Sequence, residues 1–181
     1  MVAPRCMKAS HPATAYVNSN GSVNAINTAT NTAGPPIPVG TGDNYDAEAV
    51  AITPDGKTAY VVNPQSVTPI STAAGKTGAA IPIGFDPGAD SIAITPNGKT
   101  AYVASSAGTV TPISTATNTA GTRIPAGEDA YAVAITPDGK TAYVTNALSG
   151  TVTPITTAAN TASAAIRVGD CPEAIAITRA A

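Results

Sequence analysis

Tryptophan is missing from this chain of 181 residues, which has one phenylalanine, one histidine and two cysteines. Aromatics make up 4% while hydrophobic residues reach 43%, so a core has to be built from Ala, Val and Ile rather than from large rings. Cys6 and Cys171 are too few for a disulfide framework, and their spacing matches no metal motif. The lone His11 excludes a histidine-based metal centre and is the only imidazole open to Ser–His or Cys–His catalysis. It stands before Pro12 in an irregular stretch, where it reads as an exposed residue without a catalytic role.

Charge is scarce too, at 11%, which leaves Thr, Ser and Asn to cover the surface. A net charge of −2 provides no basic surface, which excludes nucleic acid as a partner. No apolar run approaches the ~20 residues of a membrane span. MVAPRCMKASHPATAYV carries early cations but no apolar stretch after them, so no signal peptide is read and a cytoplasmic chain is expected. A missing upstream segment would instead make the protein secreted or cell-surface. The glycines at Gly40, Gly42 and Gly84 have no helix after them and imply no phosphate cradle. Asn20-Gly21-Ser22 fits a glycosylation acceptor, but Asn-Gly is first of all a turn.

What the chain does have is repetition. Tyrosines recur at Tyr16, Tyr60, Tyr102 and Tyr143, with steps of 44, 42 and 41 residues. After each comes a Thr-rich stretch (VNAINTATNTAG, VTPISTAAGKTG, VTPISTATNTAG, VTPITTAANTAS) and then IPVG, IPIG, IPAG or IRVG. Before three of them stands AITPDGKTAYV or its close copy. Four short β segments in a period of roughly 42 residues are the signature of a propeller blade. The predicted fold is an all-β propeller of four repeats with four antiparallel strands per blade. It forms one domain over residues 1–181, with a degraded or displaced N-terminus at 1–13.

Ala49-Val50-Ala51-Ile52 and Ala132-Val133-Ala134-Ile135 alternate with period two, apolar on both faces, as an innermost strand between neighbouring blades should. Pro54-Asp55-Gly56, Pro96-Asn97-Gly98 and Pro137-Asp138-Gly139 supply a tight hairpin. Pro38, Pro82 and Pro125 fall in the fourth segment, the outer edge where a strand can lack an N–H. AITPDGKTAYVTN at 134–146, with VTPITTAANT and AAIRVGDCPEAIAIT after it, resembles the YVTN-repeat β-propeller family, and the likeness runs from about residue 14 to the end. Such families commonly close with more blades, often seven, so four repeats depart from the pattern.

Two of the 11 acids, Asp55 and Asp138, belong to hairpin turns. The other nine are Asp43, Asp46, Glu48, Asp86, Asp90, Glu128, Asp129, Asp170 and Glu173, and all fall in connectors from a fourth strand to the next first strand. Four-stranded antiparallel blades put these connectors on one end of the disc. Lys57, Lys76, Lys99 and Lys140 fall on the other. The aromatics Tyr45, Phe85 and Tyr131 lie in the acidic connectors. Carboxylates beside rings at a concave rim suit a cation, a polyhydroxylated ligand or a basic protein. Acidic loops also serve simply to keep propeller faces from stacking.

The first expectation is therefore a non-catalytic scaffold whose acidic, aromatic-containing face binds a small ligand or protein. No cofactor is required, and a divalent cation such as calcium is open. The resemblance implies surface-layer relatives for this reading. It also implies an enzymatic alternative, a metal-dependent lactonase- or lyase-like propeller using Asp43, Asp86, Glu128 and Asp170. A third reading is a fragment of a larger propeller.

The first repeat lacks an innermost strand, and Glu173-Ala174-Ile175-Ala176-Ile177-Thr178 provides one with no hairpin after it. The C-terminal strand is expected to complete the N-terminal blade. An open arc that self-associates is the rival. Cys6 and Cys171 flank that junction, either as a disulfide or as free thiols.

Overall fold

The computed structural model describes residues 13–39, 47–84 and 88–179. Its first antiparallel sheet holds Thr14–Ser19 (β1), Ser22–Asn27 (β2), Thr32–Ala33 (β3) and Ile37–Pro38 (β4). The second holds Ala49–Ile52 (β5), Thr58–Asn63 (β6), Ser66–Ser71 (β7), Lys76–Thr77 (β8) and Ile81–Pro82 (β9). Ala89–Ile94 (β10), Thr100–Ser105 (β11), Thr109–Ser114 (β12), Thr119–Ala120 (β13) and Ile124–Pro125 (β14) make the third. The fourth contains Ala130–Ile135 (β15), Thr141–Asn146 (β16), Thr151–Thr156 (β17), Thr161–Ala162 (β18) and Ile166–Arg167 (β19). Each sheet packs on the next in chain order, through β1 and β5, β5 and β10, and β10 and β15.

The hairpin closing β5 onto β6 shows why the repeated letters are needed. Gly56 takes φ 72° and donates its N–H to the Thr53 carbonyl at 2.8 Å, a left-handed turn that a Cβ would strain. The Thr53 hydroxyl donates to Asp55 Oδ1 at 2.7 Å, and the Lys57 N–H donates to the same oxygen at 3.1 Å. Asn97 does the same in the third sheet, accepting from Thr95 and the Lys99 N–H. Any side-chain oxygen at this reach suffices; charge is not required.

Outer strands differ from the expected single fourth strand. In every sheet the fourth segment is split into two pieces that pair with opposite ends of the third strand. A strand residue points its N–H and C=O to the same side. Pro69, Pro112 and Pro154 turn theirs toward the outer edge: their carbonyls accept from Gly78, Gly121 and Ser163 at 2.7–2.8 Å, and they have no N–H to return. The ladder therefore breaks there. In the first sheet Ala25 takes that position, and there it is Pro35 and Pro36 of the outer segment that lack the N–H groups to continue the ladder.

Three apolar clusters fill the three junctions between sheets. Ala59, Val61 and Ile70 face Val23 and Val39; Ala101, Val103 and Ile113 face Tyr60, Val67 and Ile81. Ala142, Val144 and Ile155 face Tyr102, Val110 and Ile124. Each buried Val or Ile stabilises by about 1.5–3 kcal/mol. The innermost strands are only half-buried, contrary to their expected place at the tightest point: Ile52 is 39% exposed. An inner strand has one ladder neighbour, whereas the second and third strands are flanked on both sides.

The expected closure is not formed. Residues 171–179 carry no strand, and among the described residues β1 pairs only with β2. The four sheets are stacked in chain order, so the first and last lie at opposite ends of the array. Cys171 is free and exposed; Cys6 and His11 lie outside the described residues.

Candidate binding face

Hydrogen bonds divide the loops between two ends. The turns after the third strands are tied to the lysine hairpins, with Thr72, Thr115 and Thr157 donating N–H groups to the carbonyls of Lys57, Lys99 and Lys140 at 3.0–3.1 Å. The acidic connectors are tied to the turns between second and third strands. Ser106 N–H donates to the Gly88 carbonyl, Ala147 N–H to that of Asp129, and Val168 N–H to that of Gly150. The Glu128 N–H donates to the Ser149 hydroxyl at 2.9 Å. Glu48, Asp90, Glu128, Asp129, Asp170 and Glu173 thus belong to one set of loops, and Lys57, Lys76, Lys99 and Lys140 to the other. Asp43, Tyr45, Asp46, Phe85 and Asp86 lie outside the described residues.

At the lysine end both hairpin carboxylates have a cationic partner: Lys57–Asp55 and Lys140–Asp138 pair at 3.7 Å on the surface. Hydrogen bonds from Thr53 and the Lys57 N–H hold the Asp55 carboxyl below its usual range, and Thr136 and the Lys140 N–H do so for Asp138.

Asp90 is the opposite case. It sits at a bulge in β10, where the register with β11 shifts between Ala89 and Ser91, and Tyr131 lies in the corresponding shift of β15 between Ala130 and Val133. Bulges take a residue out of the ladder and re-aim it. Burial, reinforced by the nearby charges of Asp129 and Glu48, pushes the Asp90 carboxyl up to about 6; only a hydrogen bond from the Ser106 N–H opposes the shift. Its Oδ2 is buried with no hydrogen-bond partner among the described residues. Glu48 and Asp129 stand at the start of the inner strands of the sheets before and after the one that holds Asp90, and theirs are the two negative charges that act on it. Glu48, Glu128, Asp170 and Glu173 are exposed, and Tyr131 is 42% exposed. Asp129 also serves the backbone: φ is 59° there, and Gly88 and Cys171 take the same left-handed conformation at the same point of their repeats.

Among the described residues no group of three His, Cys, Asp or Glu side chains is arranged to hold a metal ion. Asp43 and Asp86 of the proposed lactonase-like set lie outside the described residues, and the exposed Glu128 and Asp170 belong to different connectors.

Two sets of residues that organise this end escaped the sequence reading. Asn63 and Asn146, the last residues of β6 and β16, are buried and tie third-strand threonines to the preceding connector. Asn63 Nδ2 donates to Thr68 and to the Val39 carbonyl, each at 3.2 Å; Asn146 Nδ2 donates to Thr151 and Thr153 at 2.9 Å, and Thr153 donates to the Ala126 carbonyl. The recurrent Asn of YVVN and YVTN was the available signal. Arg123 is the second: its guanidinium reaches the Ile83 carbonyl of the preceding sheet at 2.6 Å, lying over Gly84, where a Cβ would collide with it.

Four antiparallel sheets packed in series define an all-β, β-propeller-like fold. The solved structure "Kuenenia stuttgartiensis Hydrazine Synthase" shares it, with a TM-score of 0.66 and 24% identity, over 74% of this chain and 40% of that one. The chain thus spans two fifths of that protein's length, and at this identity the likeness speaks for the fold alone. No family model matches the chain, and no curated protein matches it. No helix among the described residues is long and apolar enough to cross a membrane.

Proposed function

We propose that the protein is a non-catalytic propeller-type binding scaffold of the YVTN-repeat kind, whose acidic end takes a cationic ligand or a basic protein segment. One observation carries the reading. Asp90 is partly buried, its Oδ2 has no partner among the described residues, and the charges of Asp129 and Glu48 act on it. A partly desolvated carboxylate near two like charges costs stability, and a bound cation would relieve that cost. The lysine end offers no such relief to a ligand, since its carboxylates already have their partners. Tyr131, half-exposed on the neighbouring bulge, adds a ring face suited to an ammonium or guanidinium group.

Calorimetric titration with calcium chloride and, separately, with a tetralysine peptide tests this. Saturable binding of either at pH 7.5, weakened tenfold or more by Asp90→Asn with Asp129→Asn, is the expected result. Absence of saturable heat with both probes would remove the proposal.

A further inference from the structure

The two ends of the sheet array carry the two halves of one interface, and we infer that a second copy of this chain docks head to tail, the fourth sheet of one copy on the first sheet of the other. The template is internal, because the same junction is made three times within the chain. On the face each sheet turns to its predecessor, Ala59 and Val61, Ala101 and Val103, and Ala142 and Val144 are all at most 1% exposed. Their counterparts in the first sheet are Ala15, which is exposed, and Val17, at 48%. On the forward face the outer-strand isoleucines Ile81 and Ile124 are 3% and 4% exposed, whereas Ile166 in the last sheet is 49% exposed and Val168 53%. Each end shows the apolar side chains that its neighbour covers everywhere else.

Polar groups repeat the pattern. The Tyr60 hydroxyl donates to Asn118 Oδ1 of the next sheet at 2.7 Å, and that of Tyr102 to Asn160 Oδ1 at 2.6 Å. Both asparagines stand in left-handed turns with φ 52°. Asn31 has the same turn, φ 53°, in the Thr-Ala-Thr-Asn sequence it shares with Asn118, but among the described residues no earlier sheet supplies it with a tyrosine. Tyr143 is the tyrosine with no later sheet to bond.

A strand and a gap correspond as well. Among the described residues the first sheet has no innermost strand of the kind the other three possess, and β1 has no ladder partner on its other edge. Ala174-Ile175-Ala176-Ile177-Thr178 has the alternation of an innermost strand and no ladder partner. It leaves the fourth sheet by the same connector that elsewhere leads into the next inner strand. Docked head to tail, it adds to β1 of the second copy by strand addition. Two such junctions close two copies into a ring of eight sheets, within the range of closed propellers; a rotation that fails to close would give longer head-to-tail species.

Sedimentation equilibrium of the full chain, from about 1 to about 100 µM, reads this directly. Expected is a reversible dimer or longer series for the wild type, and monomers for Val17→Asp and for Ile166→Asp, each with an unchanged circular dichroism spectrum because both positions are already half-exposed. Mixing the two variants should restore a one-to-one complex, because each retains the half that the other lacks. Tyr143→Phe should weaken association about fivefold, the effect of one hydrogen bond. A monomeric wild type, whose ends would then be left for further repeats of a longer chain, overturns the inference; so does a dimer indifferent to both Asp variants.

Discussion

A carboxyl group that gives up much of its water and leaves one buried oxygen without a partner among the described residues is Asp90. Asp90 has its pKa raised from 3.8 to about 6 by burial, then by Asp129 and Glu48. Its folded-state value lies above its unfolded one, so whatever it contributes to stability is present below about pH 4 and is lost as pH rises through 6. Asp90→Asn should therefore raise the melting temperature at pH 7.5 and leave it unchanged near pH 4, as thermal melts at the two pH values would show. The tyrosines allow a second comparison at this scale. Tyr102→Phe removes a hydroxyl that bonds both Asn160 and the Thr157 carbonyl, and should cost about 1 kcal/mol. Tyr143→Phe should cost the dilute chain next to nothing in urea unfolding. Of the recurring tyrosines, Tyr60 and Tyr102 are packed into the core, each 1% exposed. Their hydroxyl partners were not legible, because each lies 58 residues on, in another sheet. Gly75 hides the pairing further by replacing the asparagine in the second repeat, where Tyr16 reaches only the Thr72 carbonyl.

Among the elements, the connectors at the acidic end are more constrained than their composition indicates. Gly127 lies against Asn146, and a Cβ there would meet its Cγ and Nδ2 at 2.7 Å, while Asn146 is fully buried and cannot move away. Gly127→Ala should destabilise the protein by about 1–3 kcal/mol and should speed hydrogen exchange at 126–130 by freeing the connector. The hairpins and the outer-edge prolines were legible because turn chemistry is local: Pro54-Asp55-Gly56 specifies its own geometry. The split outer strand was not, since it depends on which way Pro69, Pro112 and Pro154 point across the sheet, and period-two alternation does not give that direction. The bulges at Asp90 and Tyr131 escaped for the same reason. The acidic loops were assigned to one end by counting strands, and the described ones do share the loops tied to the second-to-third turns. The action of Glu48 and Asp129 on Asp90 emerged only from the packing of three sheets.

On the scale of the whole molecule the decisive fact is that the array ends rather than closes. Counting repeats gave four sheets, but whether the last meets the first depends on the rotation from sheet to sheet, to which no single residue testifies. Residues 174–179 make no ladder bonds in this chain, so deleting 174–181 should lower the melting temperature at high dilution by at most about 4 °C, measured by differential scanning calorimetry. The same deletion should weaken head-to-tail association at high concentration, because it removes the donated strand.

Among the described residues the sheets pack chiefly on their immediate neighbours, and this shapes how the chain comes apart. The two inner sheets are covered on both sides while the outer two are covered on one. Unfolding of such a linear stack is a matter of fraying, with the terminal units opening first and the middle persisting. Amides of β6, β7, β11 and β12 should thus be the last to exchange with deuterium, and those of β1, β2 and β17 should exchange earlier. A protein built this way does not melt as one block at the edge of its stability: it sheds its ends and keeps a two-sheet kernel from which the remaining repeats can regrow.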